Sequence, residues 1–109
     1  MKAVPAALNG SKTRENSVLL NTLIAFKKGD FSARMPAART GVAGKIADTL
    51  NDILDLNQKM VTEFGRISRS VGKEGKITQR ASIGSVGGAW AECVESVNSL
   101  IGDLVQPST

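Results

Sequence analysis

Apolar side chains recur through residues 44–72 at Ile46, Leu50, Ile53, Met60, Phe64, Ile67 and Val71, with Asn57 as the one polar step, so the spacings run 4-3-4-3-4-3-4. No proline interrupts this heptad pattern. Placing Ile46 at position d puts Leu50, Asn57, Phe64 and Val71 at a. The outward b, c and f positions, among them Lys45, Asp48, Asp52, Asp55, Lys59, Arg66 and Arg69, carry no apolar side chain. An untwisted helix drifts out of a 3.5-residue phase by ~20° per heptad, so a seam this long predicts supercoiling around a partner helix. Ala47, Leu54, Leu56 and Val61 widen the apolar face into the e and g positions, which a two-stranded coil leaves wet and a four-helix bundle buries. Asn57 reads either as a polar residue at a loose spot in the core or as a paired asparagine that fixes register across a parallel dimer.

Two further helices flank this one. Val18, Leu19, Leu20, Leu23, Ile24 and Phe26 form a short amphipathic helix expected to start at Asn16 or Ser17, both good caps, and to stop at Gly29. Residues 1–15 are expected to be a flexible N-terminal segment. The last helix is expected from about Ala89 to Val105, with Cys93, Val97, Leu100 and Leu104 continuing the seam until Pro107.

The chain also repeats itself. Gly29-Asp30-Phe31-Ser32-Ala33-Arg34-Met35 aligns with Gly75-Lys76-Ile77-Thr78-Gln79-Arg80-Ala81 at an offset of 46, and Leu50-Asn51-Asp52-Ile53-Leu54 aligns with Val97-Asn98-Ser99-Leu100-Ile101 at 47. One extra residue in the second glycine-rich loop accounts for the change. Each copy reads as helix, glycine-rich connector, helix. The first helices match less well, because apolar residues fall four and eight before Gly75 (Val71, Ile67) but five and nine before Gly29 (Ile24, Leu20).

Composition narrows the function. The chain has 109 residues, no His and no Tyr, and one Cys, which removes the commonest acid–base group and metal ligand and any internal disulfide or cysteine-based zinc site. Its net charge of +4 suggests nucleic acid, but the basic runs Lys27–Lys45 and Arg66–Arg80 each precede an acidic stretch. The four aromatic residues are not interleaved with the basic ones as base stacking requires. Recurring basic and acidic segments point to packing against a copy of the chain instead. No apolar run approaches the ~18 residues that would span a bilayer, and the opening residues lack a secretory signal, so a cytoplasmic protein without membrane contact is expected. Gly41-Val42-Ala43-Gly44-Lys45 fails as a phosphate loop, since Arg39 replaces the first glycine and Ile46 the magnesium-binding hydroxyl residue. Cys93, on the apolar side of its helix, reads as a buried inert thiol, and Trp90 as a cap on the bundle end. No catalytic, cofactor or metal site is expected.

Gly29-Asp30-Phe31-x-x-Arg34-Met35-Pro36, followed by the helix of Ile46, Leu50 and Ile53, resembles a HAMP domain, and the second copy, with Gly75, Ile77, Arg80 and the helix from Ala89 to Asn98, resembles the later members of poly-HAMP arrays in soluble hybrid histidine kinases. The resemblance covers roughly residues 16–107. It implies an all-α fold of two consecutive HAMP modules, residues 16–60 and 61–107, each a parallel homodimeric four-helix coiled-coil bundle, joined by a continuous helix over about 44–72. It implies connector anchors at Phe31 and Met35 and at Ile77 and Ala81, with Ile83 or Val86 able to stand in for the small Ala81. Gly29 and Gly75 are its connector glycines. Its bundle core comprises Leu20, Ile24, Ile46, Leu50, Ile53, Asn57, Met60, Phe64, Ile67, Val71, Val97, Leu100 and Leu104. The implied function is a non-catalytic relay of helix packing between sensor and kinase domains outside this chain. The other readings are a static dimerisation or partner-binding module and a basic nucleic-acid-binding protein.

Overall fold

A computed structural model describes residues 6–37 and 40–105, with side chains from 13–37 and 40–104. The chain is all-α: helix α1 (Ala6–Lys27), helix α2 (Gly41–Ile67), a π-helical turn (Ser68–Lys73) and helix α3 (Gly88–Val105), with no strand among the described residues. Among these residues no helix is long and apolar enough to cross a membrane.

Helix α1 begins at Ala6, ten residues before the start expected at Asn16 or Ser17. Ala6, Ala7, Leu8, Lys12, Arg14 and Glu15 are strong helix formers and Asn9, Gly10, Ser11 and Thr13 poor ones, and the capping candidates Asn16 and Ser17 lie inside the helix. Helices α2 and α3 open alike. Gly41 and Gly88 both have positive φ, and the carbonyls of Thr40 and Gly87 accept the amides of Gly44 and Ala91.

The chain divides into two compact units, Met1–Asn57 and Gln58–Thr109. In unit 1, Ala47, Leu50 and Leu54 of α2 are buried together with Met35 of the connector, and Val18, Leu19 and Phe26 of α1 pack on them. Thr22, also buried, donates its hydroxyl to the Val18 carbonyl at 2.8 Å and so leaves no polar atom unpaired. Phe26 meets Phe31 edge to face at 5.5 Å. In unit 2, Ile67, Ala81 and Ile101 are buried, with Phe64, Val71, Val94 and Val97 packed on them.

The two cores are the same layout. On the second helix, Ala47, Leu50 and Leu54 correspond to Val94, Val97 and Ile101, 47 residues on. On the connector, Met35 corresponds to Ala81, 46 residues on. On the first helix, Leu19, Thr22 and Phe26 correspond to Phe64, Ile67 and Val71, 45 residues on. The mismatch of the first helices in sequence is therefore a slip of one residue, and the π turn supplies it.

Candidate functional site

Each connector is clamped to its second helix by one asparagine. The Met35 amide donates to Asn51 Oδ1 at 2.7 Å, and Asn51 Nδ2 donates to the Met35 carbonyl at 3.1 Å. In unit 2 the Ala81 amide donates to Asn98 Oδ1 at 2.7 Å, and Asn98 Nδ2 donates to the Ala81 carbonyl at 3.0 Å. A primary amide offers a donor and an acceptor at this spacing to the two backbone groups of one residue, which an ionised carboxylate cannot. Position 51 reads as an outward polar site in the heptad, yet it faces the connector. The identical asparagine in both repeats is the signal that marks it.

An arginine folds each connector onto itself. Arg34 Nη1 donates to the Phe31 and Ala33 carbonyls, and Arg80 Nη1 donates to those of Ile77 and Gln79. Asp30, in the first connector, accepts the hydroxyl and amide of Ser32, which lower its carboxyl below the ordinary value. Arg34 also pairs with Asp55 at 2.7 Å in an exposed position.

Unit 2 has an added clasp. Glu63, only 17% exposed, accepts Arg66 Nε and Nη2 at 2.9 Å each and the Ser82 amide at 2.8 Å. Arg66 reaches on to Gln79 Oε1 and the Arg80 carbonyl. The Arg66 hydrogen bonds hold the Glu63 carboxyl down to about 2 against burial, which pushes the other way, and the Ser82 amide adds to the lowering. Because the folded value lies below the unfolded one, the clasp's stability is complete above the ordinary value of 4.5 and disappears as pH falls toward about 2. Glu63→Gln is expected to cost about 1–2 kcal/mol at neutral pH. The gap in melting temperature between variant and wild type should narrow steadily as the pH is lowered from 4.5 toward 2.5.

The expected anchors and core residues fall in different places. Met35 and Ala81 are buried and Phe31 is half-buried, whereas Ile77 is exposed; of the two stand-ins for Ala81, Ile83 is buried and Val86 half-buried. Gly29 and Gly75 both sit at the helix ends with positive φ (96° and 70°), a conformation that L side chains rarely adopt. Of the expected bundle core, Leu50 and Ile67 are buried, and Asn57, Met60, Phe64, Val71 and Val97 are half-buried. Leu20, Ile24, Ile46, Ile53, Leu100 and Leu104 are exposed, reaching 66% at Leu100. The side chains that fill the interior of unit 1 are instead the e-position pair Ala47 and Leu54, on the flank of the seam nearer α1. Cys93 is exposed rather than buried, because it lies on the open side of α3 and not on the side of Val94, Val97 and Ile101. Trp90 is half-buried.

Apart from Val61 and Ile77, the exposed large apolar residues line the helices as a stripe in each unit. On α2 it contains Val42, Ile46 and Ile53, and on α3, 47 residues on, Ala89, Cys93 and Leu100. Asn57, whose Nδ2 donates to the Ile53 carbonyl at 2.8 Å, corresponds to Leu104. In unit 1, α1 adds Leu20, Leu23 and Ile24. Among the described residues no group of three or more His, Cys, Asp or Glu could hold a metal ion. No family model matches the chain, and no solved structure matches it significantly.

Proposed function

We propose that the chain is a tandem pair of HAMP modules acting as a non-catalytic, cytoplasmic relay between a sensor and a kinase domain. In this reading two copies lie parallel, and each unit contributes its two helices to a four-helix bundle. The observation that carries it is the open stripe: each unit buries one flank of its second helix, including the a-position Leu50, on its own connector and leaves the d positions, Ile46 and Ile53 or Cys93 and Leu100, in solvent. Apolar side chains at heptad spacing are stabilised when a second helix covers them. The repeated asparagine clamps support the same reading, since they hold each connector against the helix pair and leave that face free.

Signal passage follows from continuity. Helix α2 carries core residues of both units, Leu50 and Leu54 in one and Phe64 and Ile67 in the other. Inserting one residue after Asn57 turns everything beyond it by roughly 100° about the helix axis. Placed between a sensor and a histidine kinase, the wild-type chain should pass on the stimulus, and the insertion should lock or abolish the kinase response. A kinase response that survives the insertion unchanged would identify the chain as a static dimerisation rod.

A further inference from the structure

The two units end their first helices differently. In unit 1 the Asp30 amide donates to the Ala25 carbonyl, five residues back, at 2.9 Å. In unit 2 the corresponding amide of Lys76 donates to the Ser70 carbonyl, six residues back, at 2.8 Å. The π turn Ser68–Lys73 thus holds one residue more than its counterpart, as π turns do when a single residue is accommodated within an α-helix. None of its six residues is buried. Its outer side is also the poorer one: the counterparts of Leu20, Leu23 and Ile24, 45 residues on, are Gly65, Ser68 and Arg69. Gly72 adds backbone freedom inside the turn, and a Cβ built there meets nothing within 4 Å. Wide helical geometry, burial limited to the half-buried Ser70 and Val71, and an extra glycine weaken the same six residues, while the clasp of Glu63 and Arg66 secures the helix just before them.

We propose that Ser68–Lys73 is the yielding element of the chain, a turn that opens locally while α1 and the first connector stay closed. Its use in signalling rests on the relay reading, as the point where a change in α2 is taken up or released; its opening does not depend on that reading. Amide hydrogen exchange on the intact chain tests it. Amides of Ser70–Lys76 are expected to exchange at least about tenfold faster than those of Ala25–Asp30. Deleting Gly72 restores the five-residue closure of unit 1, and should bring the two rates within about threefold and raise the melting temperature. Gly72→Ala keeps the chain length and should slow the same amides in part, which covers a deletion that fails to fold. Equal protection of the two helix ends in the wild type, or exchange left unchanged or faster by both variants, overturns the proposal. Mass in solution, measured on the same samples, separates this failure from that of the relay: a monomer with a fast-exchanging π turn removes the dimer and leaves the yielding element standing.

Discussion

Asn51→Ala and Asn98→Ala are expected to destabilise the fold by about 2–4 kcal/mol each, far more than polar residues on an outward helix face usually cost. Each substitution removes two hydrogen bonds, worth about 0.5–1.5 kcal/mol apiece, and strands a backbone donor and acceptor in a part-buried place. Against a total stability of about 5–15 kcal/mol, that is a fall in melting temperature of roughly 10–20 °C. Asp at either position keeps the acceptor but sets a carboxylate against the backbone carbonyl, so it should be at least as damaging as Ala. Asn51→Ala is expected to be the worse of the two. The second connector keeps the clasp of Glu63 and Arg66, whereas among the described residues the first is tied to its helix by the exposed pair of Arg34 and Asp55, and exposed pairs contribute little. Thermal unfolding of the two variants, read by circular dichroism, gives the order directly.

The second large effect concerns the open stripe. Ile53→Lys or Leu100→Lys should leave each chain helical and convert a dimer to a monomer. Both residues are exposed in the single chain, so neither substitution removes an internal contact of size. In the proposed dimer, each would lose about 1.5–3 kcal/mol of apolar burial per chain and bring two ammonium groups together. A loss of about 4 kcal/mol weakens association on the order of a thousandfold. Asp52→Lys, on the outward face, should leave the mass unchanged. Sedimentation or light scattering of the three variants at micromolar concentration distinguishes the cases.

Much of this architecture is legible in the residues. The heptad seam marks α2, and the repeated Gly-Asp-Phe and Gly-Lys-Ile strings mark where two connectors begin. Met35 and Ala81 occupy matching places in the two cores because the repeat aligns them. Other features lie beyond a pattern of apolar spacing. Periodicity states which residues share a stripe, but not which flank of the stripe the chain covers by itself; Ala47 and Leu54 are covered while Ile46 and Ile53 are not. The same ambiguity hides the exposure of Cys93. Asn51 and Asn98 look like surface residues in the heptad pattern, and their matching places in the two repeats are what single them out. The π turn is visible only as a defect in the alignment of the first helices, five and nine residues before one glycine against four and eight before the other. Helix α1 runs past the capping candidates Asn16 and Ser17 back to Ala6, so it is longer than its apolar stripe.

The chain's single cysteine offers the most direct measurement. Cys93 is exposed and takes the same place on α3 as Ile46 on α2, on the face proposed to meet its own counterpart. Two copies lying in the same direction and in register would bring the two thiols to the same level of the bundle. Neighbouring helices pack about 8–10 Å apart, so diagonal ones exceed the about 7 Å between Cα atoms that a disulfide tolerates, and a short bis-maleimide spans the gap. A short bis-maleimide at micromolar concentration should therefore yield a covalent species of twice 11.4 kDa with undiminished helicity, and Cys93→Ser should give none. A chain that resists cross-linking while sedimenting as a dimer, or that sediments as a monomer, would contradict the parallel pairing on which the relay depends.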